Sequence, residues 1–233
     1  MTTPAPAATG AKKPVTISVA QADRFIRHIV TTCRRDTAAR QALTAGTGRP
    51  PAHAARAHRY IVPQLHRIYG DTEPGPDTAW AFYTVAALAA AHDPRATQFH
   101  HDQDDDPDQD PPADNNTEGE DAARRARDRR RRTGSLGAAT AGMDAPDIEP
   151  GTDNPEGRNA RTLHTLAAQD LDGLHAHLPR LLRRLDASST LPDWGVLLAD
   201  IAHWNRPNTR QRVALRWAHT YYQTLSNHTR KEN

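Results

Sequence analysis

The chain has 233 residues, of which 36% are apolar and 5% aromatic, with 18 prolines; this argues against one large globule and for a helical protein carrying a long unstructured segment. A lone cysteine, Cys33, excludes an intrachain disulfide, no apolar run approaches the roughly 20 residues that span a bilayer, and MTTPAPAATG has no apolar signal region, so a cytoplasmic location is expected. The formal charge of +2 hides a segregation: residues 100–157 hold 16 acidic and 7 basic side chains, net −9, leaving a net of +11 from 23 basic and 12 acidic residues elsewhere, the electrostatic footprint of a polyanion binder.

Residues 1–14 read as a disordered Ala/Pro/Thr arm. Ser18 with Gln21 three residues on forms a capping-box pattern, and Ala22, Phe25, Ile26, Ile29, Val30 and Cys33 make a helical apolar stripe. Arg24, Arg27 and Arg34 fall off that stripe at i, i+3 and i+10, within one quadrant of the helix, and Arg35 flanks them. From Ala52 a second pattern runs through Ala57, Ile61, Leu65 and Ile68, with Arg56 and Arg59 beside it and Pro63 expected to kink or split it. Asp77 or Thr78 is the expected cap of a strongly apolar helix through Trp80, Val85 and Leu88 to near His92.

An acidic block from Asp102 to Asp121 then meets ARRARDRRRR, residues 123–132. Blocks of opposite sign cannot bury a core, so residues 96–157 are expected to be a charged, mostly disordered linker. The Arg124–Arg132 run could serve as a nucleic-acid-binding arm, although neutralisation by the adjacent acidic block is the favoured reading. Order returns at Arg158, and Asp170 can cap a helix striped by Leu171, Leu174, Leu178, Leu181 and Leu185.

The densest set of core anchors lies between Leu191 and Leu225, which holds three of the four tryptophans. Trp194, Leu197, Leu198, Ile201 and Trp204 share one helical face behind Asp193 as N-cap. Pro207 is expected to stop that helix and Thr209 to cap another, striped by Val213, Trp217, Tyr221 and Leu225. Arg206, Arg210, Arg212 and Arg216 give this helical hairpin a basic face beside its buried one. The expected fold is all-α: two small helical bundles, residues 15–95 and 158–228, joined by the long disordered, charge-rich segment.

The spaced set Asp193, Trp194, Leu197, Leu198, Asp200, Trp204, Val213, Trp217, Ala218, Tyr221 and Tyr222, within DWGVLLADIAHWN and RVALRWAHTYY, resembles the C-terminal signature of the CasB family, the small subunit of the type I-E CRISPR surveillance complex Cascade. RYIVPQL through AWAFYTVAALAAAHD is similar to the N-terminal half of that family. SLG at Ser135–Gly137 resembles a family motif that starts a central helix, but AATAGMDAP follows it in place of the family's amphipathic arginine and leucine pattern. The resemblance implies two copies of the subunit along the belly of Cascade. Their partners would be the CRISPR RNA and target DNA, the displaced strand, and the backbone and large subunits.

No chemistry competes strongly with that reading. There is no GxGxxG or Walker pattern for phosphates, one cysteine cannot make a CxxC zinc site, and no catalytic, metal or cofactor residue is assigned. The pairs His92-Asp93 and His101-Asp102 leave a metal-dependent phosphohydrolase as a weak alternative. A stand-alone regulator using Thr209 to Tyr222 as a recognition helix is another, opposed by its core-like tryptophans. The candidate nucleic-acid-binding residues are therefore Arg24, Arg27, Arg34, Arg35, Arg56, Arg59, Arg206, Arg210, Arg212 and Arg216.

Overall fold

The computed structural model describes residues 16–92 and 117–231, and these contain helices and turns but no strand. Helix α1 (Val19–Arg35) opens on the expected capping box: Ser18 Oγ accepts from the Gln21 N–H while the Gln21 side chain accepts from the Ser18 N–H. Asp36 ends α1 and caps α2 (Thr37–Thr44) through a 2.8 Å bond from the Ala38 N–H. Helix α3 (Ala55–Tyr69) continues through Pro63 instead of splitting there, with Pro63 exposed and Ala57, Ile61 and Leu65 buried on another face. Helix α4 (Pro76–Ala91) is capped two residues before Asp77, the nearer of the expected caps: Gly75 is its N-cap and Pro76, whose absent N–H is no loss there, its first residue. Thr78 is buried instead and donates to the Ala202 carbonyl at 2.8 Å.

Residues 96–116 of the expected linker lie outside the described segments, whereas the expectation of disorder for residues 117–157 is corrected. Residues 117–144 form α5 (Thr117–Thr133) and α6 (Leu136–Asp144), and residues 145–157 pack as turns beyond them. Ser135 caps α6 by accepting from the Ala138 N–H, so SLG does start a helix. Small residues show little amphipathic contrast, and the physical value of AATAG is closeness. A Cβ on Gly137 would stand 2.0 Å from the Trp217 carbonyl oxygen, so only glycine admits the neighbouring helix at this distance.

Helices α7 (Ala160–Ala168), α8 (Leu171–Ala187), α9 (Trp194–Ile201) and α10 (Pro207–Lys231) complete the chain. Asp170 and Asp193 cap α8 and α9 as expected. Pro207 opens α10 rather than stopping α9, which ends at Ile201, and Thr209 lies inside α10. Trp204 and Trp217 stack at 5.1 Å between centroids, both fully buried, and the Trp204 indole N–H donates to the Gln169 carbonyl. Trp194 is 5% exposed. Helices α1 and α4 pack on α9, α4 also meets α8, and α10 lies along α6 and α7. The apolar residues of both halves therefore form one continuous core.

Candidate nucleic-acid interface

The ten arginines singled out by sequence sit off the apolar stripes, on α1, on α3, and on α10 with the turn before it. Arg34 and Arg35 at the end of α1 and Arg56 and Arg59 on α3 are all exposed, and Tyr60 of α3 reaches Asp36 just past α1. There the Tyr60 hydroxyl donates to Asp36 Oδ2 at 3.3 Å and the Arg59 guanidinium lies 4.6 Å over the Tyr60 ring while donating to its hydroxyl. The backbone N–H of Ala39 and its neighbour hold the Asp36 carboxyl below the usual carboxylate range, with burial opposing them and Tyr60 and Arg59 adding to the pull. Arg206 and Arg210 stand at the turn into α10, where Arg206 acts on the Tyr69 hydroxyl and on His203.

The remaining candidates are Arg24 and Arg27 on α1 and Arg212 and Arg216 on α10, and an arginine–carboxylate bridge involves each of these two helices. Arg130 of α5 donates from Nη1 to Asp23 Oδ2 at 2.6 Å, from Nη2 to Asp23 Oδ1 at 2.8 Å and from Nε to Asp193 Oδ2 at 2.9 Å. One guanidinium thus ties α5 to α1 and to the capping residue of α9, as a bidentate fork does better than an ammonium could. The backbone supports the same seat, because Gly134 N–H donates to the Arg130 carbonyl and Asp193 N–H to the Gly134 carbonyl. Burial pushes the Asp23 carboxyl up, and the bond from Arg130 opposes it. The second bridge joins Arg216 to Asp200, which is 3% exposed and also accepts from the Trp217 indole N–H at 2.8 Å. Burial again pushes this carboxyl up, against Arg216, Trp217 and the more distant Arg131.

Two consequences follow for the candidate residues. Arg216 is half-buried and committed to Asp200, so its first role is to neutralise a core charge; Arg24, Arg27 and Arg212 remain exposed. Arg130, which the sequence offered only as part of a charged run, is the residue that seats α5. Its partners lie 107 and 63 residues away, and nothing local distinguishes it from the arginines around it.

The features behind the alternative readings are placed as well. His92 sets Nδ1 2.8 Å from the Asp186 carboxylate, and Asp93, His101 and Asp102 lie outside the described residues. Among the described residues no three His, Cys, Asp or Glu side chains converge to hold a metal ion, and no helix is long and apolar enough to cross a membrane. The face of α10 that carries Val213, Trp217 and Tyr221 is buried against the body and unavailable to a DNA groove.

A profile of the family CRISPR-associated protein Cse2 matches residues 39–222. The chain belongs to the Cse2 family. The match spans α3 to most of α10, including the Trp-rich hairpin that resembles CasB, and it leaves Arg24, Arg27, Arg34 and Arg35 of α1 outside. Two solved structures, described as a "CRISPR RNA-guided surveillance complex" and a "CRISPR RNA-guided surveillance complex, pre-nicking", contain chains that are similar to this Cse2 protein. Each is 28% identical, with TM-scores of 0.62 and 0.63, covering 92% of this chain and 99% of that one. Among curated proteins, no relative matches the chain by sequence.

Proposed function

We propose that this Cse2 protein is a non-catalytic, nucleic-acid-binding small subunit of the type I-E surveillance complex Cascade. It contacts the guide and target strands through arginines on several helices and helps hold the displaced strand, for antiviral defence, in the cytoplasm. The observation that carries this is the pairing of a Cse2-family fold with exposed arginines on α1, α3 and α10 and a net charge of +11 outside residues 100–157. Such a surface recognises the phosphodiester backbone and leaves sequence reading to the guide. The other Cascade subunits, the CRISPR RNA, target DNA and a second copy of this chain are its proposed partners. Nothing in this role requires a cofactor.

Co-expression with the other subunits and a CRISPR RNA tests membership, since the protein should elute with the ribonucleoprotein. Paired Arg24→Ala/Arg27→Ala and Arg210→Ala/Arg212→Ala changes test the surface within that assembly. Each phosphate contact released should flatten the log–log salt dependence of target binding by roughly 0.7 to 0.9, equally on unrelated targets. Wild-type affinity and slope in both pairs would reject these faces, and loss on one base sequence alone would favour the stand-alone regulator.

A further inference from the structure

Helix α5 combines two properties that its composition alone does not. Arg124, Arg125, Arg127, Arg129, Arg131 and Arg132 are exposed, while Arg130 is turned inward and clasped by Asp23 and Asp193. At about 100° per residue, Arg124, Arg127 and Arg131 form one stripe beside the Arg130 edge, and Arg125, Arg129 and Arg132 form another on the far side. All of residues 121–129 are exposed, so α5 is mounted on the body at its C-terminal end and projects from it. Helix α5 also packs against α10: the Arg131 charge acts on Asp200, whose direct partner is Arg216, and Arg212 lies one turn before Arg216 on α10.

We propose that α5 is a separately seated nucleic-acid grip, whose Arg124, Arg127 and Arg131 stripe continues to the exposed Arg212 of α10 as one basic seam for a phosphodiester backbone. The inference rests on the nucleic-acid-binding reading above and locates a surface beyond the ten candidate arginines, in the run whose favoured sequence reading was neutralisation. The favoured sequence reading, in which the run is spent on its acidic neighbours, is not what holds Arg130: its carboxylates come from α1 and from the α9 cap.

The class of partner follows from what α5 lacks. Within residues 121–133 the only apolar side chains are Ala122, Ala123 and Ala126. A protein partner of appreciable affinity needs an apolar, desolvated centre with a polar rim around it, and three exposed alanines cannot supply one. A backbone of phosphates needs only donors spread along its path, and successive arginines of the stripe rise about 4.5 to 6 Å along the axis. Arginine forks meet phosphate oxygens two at a time. Over the whole of α5 seven arginines stand against four acids, Glu118, Glu120, Asp121 and Asp128, so the helix keeps a positive balance.

The test uses the full-length chain and fluorescein-labelled 30-mers of unrelated sequence, single-stranded and duplex. Three proteins are compared: wild type, Arg124→Gln/Arg127→Gln/Arg131→Gln, and Arg24→Gln/Arg27→Gln. Glutamine keeps helix propensity close to that of arginine, so helix content by circular dichroism should hold. The triple variant should bind every oligonucleotide more weakly and flatten the log–log salt slope by roughly 2 to 3, from 0.7 to 0.9 per contact. Wild-type affinity and slope in the triple variant, with Arg24→Gln/Arg27→Gln weakened, would overturn the α5 seam and leave the α1 surface standing. Binding absent in wild type, or unchanged in both variants, would overturn the nucleic-acid reading together with this inference. Displacement by a polyglutamate of equal charge as readily as by DNA would also count against it, since the seam would then distinguish no phosphate geometry.

Discussion

Asp200 and His175 are both ionisable and almost fully buried, at 3% and 1% exposure, yet the fold treats them in opposite ways. Burial pushes the Asp200 carboxyl up, but Arg216 and the Trp217 indole N–H converge on it and oppose that shift. His175 stacks on Trp80 at 4.5 Å between centroids, and neither of its ring nitrogens has a hydrogen-bond partner. Burial lowers its pKa to about 4, with Asp77 only partly opposing. The contrast is between a buried carboxyl met by two donors from α10 and a buried imidazole that meets none and is held neutral.

The largest effect should come from turning the first case into an unpaired one. Arg216→Ala leaves Asp200 buried beside a single indole donor, and loss of roughly 3 to 5 kcal/mol is expected in urea unfolding. Asp200→Asn on the same background should recover part of it, because a neutral amide removes the buried charge. If Arg216→Ala unfolds like wild type, solvent reaches Asp200 and the comparison collapses.

Acid breaks the second case. The folded pKa of His175, about 4, lies below its ordinary 6.5, so the unfolded chain binds the proton first. The contribution of neutral His175 is therefore intact above pH 6.5 and is lost as pH falls towards 4, by up to roughly 3 kcal/mol. Melting curves across that window should show a steeper acid loss in wild type than in His175→Phe. Parallel curves for the two proteins would mean that other groups control the acid limb.

Arg130 is the intermediate case, since its bridge to Asp23 and Asp193 is partly exposed. Arg130→Gln should cost about 1 to 3 kcal/mol, with α5 amide protons losing more exchange protection than those of α6. Deleting residues 98–132 should cost at least as much, because it takes Arg130 and its bridge to Asp23 and Asp193 with it. The smallest effect on stability is expected for Arg24→Ala/Arg27→Ala, within about 0.5 kcal/mol, although the same change should alter the salt dependence of target binding. A large loss of melting temperature in that pair would mean that these arginines are structural.

Legibility tracked how local the physics is. The helices whose stripes and caps lie within one turn, α1 behind Ser18, α8 behind Asp170 and α9 behind Asp193, could be read directly, as could the buried tryptophans. The α6 segment escaped because alanine, glycine and threonine carry almost no amphipathic contrast, and its stability comes from how closely Gly137 lets it approach Trp217. Arg130 and Arg216 escaped for another reason: a guanidinium in solvent and one on a distant carboxylate have the same letter and often the same neighbours. The network of Tyr221, Asp144, Asn159 and Arg184 is of this kind too, with the Tyr221 hydroxyl donating to Asp144 at 2.6 Å across 77 residues.

The amino-acid sequence by itself determined the helical class, the caps, the apolar stripes and the CasB-like signature, because helix periodicity, capping and spaced anchors are properties of residues a few positions apart. Only the tertiary structure decided which arginines are spent on buried carboxylates, which carboxylates those are, and that the arginine run after the acidic block is a helix seated on α1 and α9. Those outcomes depend on groups separated by up to 107 residues meeting within 3 Å, where desolvation makes pairing worth far more than it is in water, and no local pattern encodes the meeting.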